Sequence, residues 1–211
     1  MKIYRLVFSP IDVNTYILAD SEKKCAVIDC GCYNEDEFRQ LTDFIEEKEL
    51  IPVLLLNTHC HLDHIFGNGR FLEKYGLRTL CHPDDEMNRK NAVKQAMFFG
   101  LRMEDPPEPE GSLEDGQVIS FGSVTLKALH VPGHSPGSLA FYCEKEKVVF
   151  TGDALFAGSI GRADLPGGDH DTLIKSIREK LFTLPEETVV YPGHYGSTTI
   201  GNEIKTNPYF G

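Results

Sequence analysis

Several things are scarce in this sequence, and each scarcity excludes something. No apolar run approaches the roughly 20 residues that a membrane-spanning helix needs. The opening Met1-Lys2-Ile3-Tyr4-Arg5-Leu6 has neither the apolar region nor the cleavage site of a signal peptide, so a cytoplasmic location is expected. Positive charge is also short: 21 Lys and Arg stand against 32 Asp and Glu, a formal net charge of −11. A phosphate-backbone partner needs clustered Lys and Arg, so no nucleic acid is expected as a partner, and a membrane is equally unexpected. The six cysteines show no C-x-x-C spacing. Cys25, Cys30, Cys32, Cys60, Cys81 and Cys143 are therefore expected as reduced, buried thiols; Cys30-Gly31-Cys32 could hold a soft metal, but no second pair stands near it. Low-complexity tracts are missing too, and 211 residues are enough for one sizeable domain with its own core.

What is present begins with short strands. Lys2 to Phe8, Thr15 to Ala19 and Cys25 to Asp29 read as a meander, separated by Ser9-Pro10 and a polar turn at 20–24. Asn34-Glu35-Asp36-Glu37 starts a helix that carries Phe38, Leu41, Phe44 and Ile45 on one face to Lys48. Val53 to Leu56 is a buried strand, Ile65 to Tyr75 a helix and Arg78 to Cys81 another strand. In Met97-Phe98-Phe99 the reading as core is favoured over substrate lining. Glu104 to Gly116, with its prolines and acids, reads as a surface loop. Gln117 to Phe121 with Val124 to Val131, and Leu139 to Cys143 with Lys147 to Thr151, form hairpins; Asp171 to Phe182 is the last clear helix and Thr188 to Tyr191 the last strand. Strands in both halves with helices between them predict two sheets packed face to face and covered by helices.

The densest chemistry follows the strand at Val53 to Leu56: Asn57-Thr58-His59-Cys60-His61-Leu62-Asp63-His64. In an extended stretch alternate side chains share a face, so His59 and His61 point one way and Cys60 the other, as a packing residue. Asp63 and His64 follow where the chain turns into a helix. Imidazoles and a carboxylate this close suit zinc, iron or manganese, whereas a solvated polar loop has no reason to concentrate them. Three further ligand types each stand after a strand and a glycine: Pro132-Gly133-His134, Thr151-Gly152-Asp153 and Pro192-Gly193-His194. Glycine permits the close backbone approach that turns a side chain into a crowded site. Singly, each His reads as a surface or capping residue; jointly with the first cluster they supply enough ligands for two metals. His82, His130 and His170 fall outside the pattern and read as polar or capping residues.

These motifs, with Ser135-Pro136-Gly137-Ser138 after His134, resemble the metallo-β-lactamase superfamily, and within it the glyoxalase II-like (hydroxyacylglutathione hydrolase-like) short branch. The resemblance runs from the first strands to the end of the chain. It implies an α/β fold, the αββα four-layer sandwich, over 1–211 as a single domain. It also implies that His59, His61 and His134 bind one metal and Asp63, His64 and His194 a second, with Asp153 bridging; two divalent ions are expected, zinc first, with iron or manganese as alternatives. Longer glyoxalase II enzymes continue into a helical C-terminal segment that helps to hold glutathione, which is not expected here. Arg162, in the loop Gly158 to Asp169, falls where longer relatives place a basic substrate contact; an exposed Arg on a turn is the plainer reading.

A dinuclear centre of this type makes a bridging hydroxide available near neutral pH and polarises the carbonyl it attacks, while Asp63 orients the hydroxide or accepts its proton. No other acid stands out to protonate a leaving group, which fits a thiolate better than an amine. The expected function is thus hydrolysis of a small-molecule thioester such as S-lactoylglutathione. The rivals are a persulfide dioxygenase with one iron on His59, His134 and Asp153, a lactonase or β-lactamase, and a non-catalytic metal-binding module.

Overall fold

The structure, a computed structural model, describes residues 1–211. Its first sheet is built in chain order from β1 (Lys2–Phe8), β2 (Val13–Ala19), β3 (Lys24–Ile28), β4 (Ile51–Leu56), β5 (Thr79–Cys81) and β6 (Gly111–Ser112). The first three strands are antiparallel, and the pairings from β3 through β6 are parallel. The second sheet uses β7 (Val118–Phe121), β8 (Val124–His130), β9 (Leu139–Cys143), β10 (Val148–Gly152), β13 (Val189–Pro192) and β14 (Thr198–Thr199). A short ribbon of β11 (Leu155–Phe156) and β12 (Ser159–Ile160) lies between β10 and β13 in the chain.

Period-two alternation explains the layering. In β2, Tyr16 and Leu18 join Ala26 and Ile28 of β3 and Leu56 of β4 in a cluster shared with Leu126, Phe141 and Phe150 of the opposite sheet. Ile17, Ala19, Cys25, Val27 and Leu55, on the other face, meet Phe38, Leu41 and Ile45 of α1 (Glu35–Glu47). The second sheet repeats this: Ala140, Tyr142 and Val149 face outward to Leu173, Ile177 and Leu181. Helix, sheet, sheet, helix is therefore the order of layers. It also explains why β2, β9 and β10 are buried on every residue.

Most expected elements are present with shifted ends, and the exceptions have local causes. The expected helix from Ile65 to Tyr75 is two: α2 (Leu62–Ile65) and α3 (Asn68–Tyr75), parted at Gly67, whose N–H donates to the Cys30 carbonyl at 2.8 Å. The region before Gly100 folds as α4 (Glu86–Phe98). Its inner side is made of Ala92 and Ala96 together with Asn88 and Arg89, so apolar periodicity did not announce it. The core reading of Met97, Phe98 and Phe99 is corrected: at the helix end they are 71%, 85% and 55% exposed. Part of Glu104 to Gly116 pairs as β6 at the sheet edge. The expected last helix is α5 (His170–Ser176), which widens into a π-type turn over Ile177–Leu181; a further helix, α6 (Ile200–Thr206), follows Thr199, whose hydroxyl accepts the Asn202 N–H. No helix is long and apolar enough to cross a membrane.

Phe141 is fully buried where the sheets face each other, so Phe141→Ala should cost about 3–5 kcal/mol, whereas Phe98→Ser should stay within about 0.5 kcal/mol. Denaturant unfolding of the two variants measures this; equal losses would place the core elsewhere.

Candidate metal centre

The loop after β4 is drawn across the end of the sandwich by backbone bonds to both sheets: the Asn57 N–H donates to the Leu80 carbonyl, and the Leu139 N–H to that of Thr58. This brings His59 and His61 to His134. His61 Nδ1 lies 2.9 Å from His134 Nε2, which lies 3.2 Å from His59 Nε2. A second trio forms beside it, with Asp63 Oδ2 at 3.6 Å from His64 Nε2 and 3.2 Å from His194 Nε2. Asp153 stands between the two. Its Oδ2 is 3.7 Å from His134 Nε2 and 3.5 Å from His194 Nε2, and its Oδ1 is 3.5 Å from His64 Nε2. All seven residues named by the sequence reading thus come together, as overlapping triads of metal-ligand type with Asp153 between them. Gly193 is needed for this: a Cβ there would run into Asp153 Oδ1 and His64 Cε1. Gly152 has φ of +50°, a region open to glycine, and leaves no room for a side chain against Thr58.

The far nitrogens are held as a metal site requires. His134 Nδ1 donates to the Arg162 carbonyl at 2.7 Å, His194 Nδ1 to the Asp12 carbonyl at 3.1 Å and His64 Nδ1 to Asp29 Oδ2 at 2.9 Å. His59 Nδ1 lies 3.1 Å from the Thr58 hydroxyl, which itself donates to Asp29 Oδ2 at 2.7 Å. In all four Nε2 is thereby the nitrogen turned inward. Asp29, buried and also accepting the Thr58 N–H, steadies a ligand of each triad. Asp85, fully buried, accepts from the Cys60 N–H, the Gly137 N–H and the Ser135 hydroxyl, and so ties the His59–His61 loop to the His134 loop. Sequence reading missed Asp29, Asp85 and Asp12. The signal for Asp29 was a carboxylate at a strand end; Asp85 looked like an ordinary acid before a helix, and Asp12 acts only through its carbonyl.

Electrostatics divide the centre in two. Burial, followed by the neighbouring imidazoles, holds His59 well below its ordinary pKa; burial and His134 push His61 down to about 3. That triad offers neutral lone pairs. Burial also opposes charge in the other trio, yet the carboxylates Asp63, Asp153 and Asp29 carry His64 well above its ordinary value, and Asp153 and Asp63 carry His194 to about 10. In return His64 and His194 overcome burial to lower Asp63, and to hold Asp153 well below the carboxylate range. His64 Nε2 and Asp153 Oδ1 remain buried without a hydrogen-bond partner, an arrangement that costs free energy unless a cation lies between such groups. The donor set fits two divalent transition ions.

Other expected residues fall outside the centre. The Arg162 guanidinium is 65% exposed and makes both of its hydrogen bonds to Asp164; only its carbonyl touches the cluster. Cys60 packs with Cys81 and Ile65, and all six thiols are buried and free. His82 accepts the Asp84 N–H, a cap as expected. It stacks on His130 at 4.0 Å with the planes 8° apart, and His130 Nε2 is engaged by the Pro136 carbonyl; with Asp84, which is exposed, these two form a separate group of ligand-type side chains away from the centre.

Residues 9–194 match the model of the metallo-beta-lactamase superfamily, and the chain belongs to that superfamily. It is 38% identical to the probable metallo-hydrolase YqgX of Bacillus subtilis, over 99% of this chain and 97% of that protein. With the hydroxyacylglutathione hydrolase GloC of Haemophilus influenzae the identity is 36%, over 99% and 98%. Among solved structures, BLEG-1 B3 metallo-beta-lactamase superposes with a TM-score of 0.91 at 33% identity, covering 99% of both chains. TTHA1623 in a di-iron-bound form gives 0.88 at 39% identity, covering 98% of this chain and 99% of that one.

In the metal-free chain a pKa of about 10 leaves His194 protonated at pH 7, and a bound ion needs that lone pair. Metal uptake should therefore release protons, and affinity should strengthen as pH rises from about 6 to about 9, where the proton competes less. Calorimetric titration with zinc in buffers of different ionisation enthalpy measures both; affinity flat across that range would contradict the assignment of His194.

Proposed function

We propose that this protein is a dinuclear metal-dependent hydrolase of acyl thiols, with S-lactoylglutathione or a related thioester as substrate and zinc as the metal, iron or manganese being the alternatives. The observation that carries the reading is Asp153, whose Oδ2 lies within 3.7 Å of a histidine from each triad and so can serve two ions at once. When bound, the ions supply a water acidified toward neutral pH and a Lewis acid for the carbonyl. Asp63, set against His64 and His194, would orient that water and accept its proton. The kinship with GloC supports the choice of thioester.

The leaving group supports it as well. An amine needs a proton from a neighbouring acid in order to depart, and Asp63 and Asp153 are both committed to the metal-ligand cluster. A thiol, with a pKa of about 8.5, departs as thiolate without that help. The likeness to BLEG-1 makes lactam opening the second reading. Zinc-loaded protein should release thiol from S-lactoylglutathione under anaerobic conditions. Faster opening of a β-lactam, or turnover that needed iron and consumed oxygen with a persulfide, would replace the proposal.

A further inference from the structure

The residue after His194 is held in a conformation that its side chain disfavours. Tyr195 has φ of +63°, in the left-handed region where a Cβ crowds the following carbonyl. What fixes the turn is backbone: the Tyr195 carbonyl accepts from Arg5 Nη1 and from Asn14 Nδ2, each at 3.0 Å, and Asn14 Nδ2 also holds the Pro192 carbonyl at 2.9 Å. A glycine would make the same bonds with no Cβ to accommodate. Nor does burial justify the ring, which is 77% exposed. Strain kept at one position while the side chain gains little for the fold points to a use outside the fold.

The ring's surroundings say what that use is. Tyr195 meets Phe156 edge to face with centroids 5.8 Å apart, and lies 6.2 Å from the His194 ring, to which Phe156 is 6.4 Å. The Nε2 of that same His194 faces Asp63 and Asp153. An exposed aromatic ring, backed by a buried one, thus stands one residue from the metal centre and beside the ring of one of its ligands. Aromatic faces attract apolar and aromatic groups rather than small hydroxylated ones.

We propose that Tyr195, supported by Phe156, is the wall against which the acyl group of the substrate packs, and that it sets a preference for thioesters with apolar or aromatic acyl groups; this rests on the thioester reading above. The test compares wild type with Tyr195→Gly and Tyr195→Phe, all zinc-loaded, on S-phenylacetyl and S-lactoyl esters of one thiol. In Tyr195→Gly the ratio of kcat/KM for phenylacetyl over lactoyl should fall about tenfold, and Tyr195→Phe should keep it. The melting temperature of Tyr195→Gly should stay level or rise, and its zinc content should equal that of wild type, which a purely structural Tyr195 would not allow. Calorimetric binding of phenylacetate and lactate to the same proteins gives a reading independent of turnover: wild type should prefer phenylacetate, and Tyr195→Gly should lose about tenfold of that preference. If no thioester is cleaved but this binding difference holds, the function fails and the wall stands. An unchanged ratio in both assays, or a lower melting temperature with equal losses on both esters, would overturn the wall.

Discussion

The rest of the structure depends on one electrostatic constraint: carboxylates and imidazoles of opposite preference are crowded into the interior at the end of a sandwich. Asp63, His59, His61, His64, His134 and His194 are all buried, and Asp153 is only slightly more open. Taking such groups out of water is costly unless each finds a partner. The chain supplies partners for the far side of most rings, through Asp29, Thr58 and the carbonyls of Asp12 and Arg162, and leaves the near side to the centre itself.

That asymmetry explains much of the architecture. Ligands arrive at one end because β4, β8, β10 and β13 stop there, and each strand is fixed by apolar side chains on both faces. The sheets cannot slide relative to each other without disturbing the triads. Asn14 and Tyr16 of the first sheet reach Pro192 of the second at 2.9 and 2.7 Å, beside His194. Asp29 links ligands of both triads, so a change there would be felt at both. The function proposed for the centre rests on geometry: the Asp153 carboxylate lies within 3.7 Å of a histidine from each triad.

The ligand set was legible because its spacing is local: four of its members lie within Thr58 to His64, and the others each follow a strand and a glycine. The layers were legible because two-sided burial writes continuous apolar strands. What was not legible acts through the backbone or through contacts distant in sequence. Asp12 and Arg162 contribute carbonyls, which any residue has, and Asp85 works by accepting donors from loops at Cys60 and Gly137. Helix α4 escaped because its inner face is made of alanines and polar residues, and the aromatic run at its end was read as core when it lies in solvent. The left-handed backbone at Tyr195 is likewise invisible in sequence, since only the turn around it imposes the angle.

The central claim is that the paired triads are built around cations. Guanidinium unfolding of chelator-stripped protein, repeated across zinc concentrations, tests it most directly, because a ligand that binds only the folded chain stabilises it in proportion to the logarithm of its excess. The account predicts a midpoint that climbs with zinc, with about 4 kcal/mol of added stability for each ion at a thousandfold excess over its dissociation constant, and so about 8 kcal/mol for two, with a concentration dependence that requires both. A midpoint unmoved by zinc, iron or manganese would contradict it.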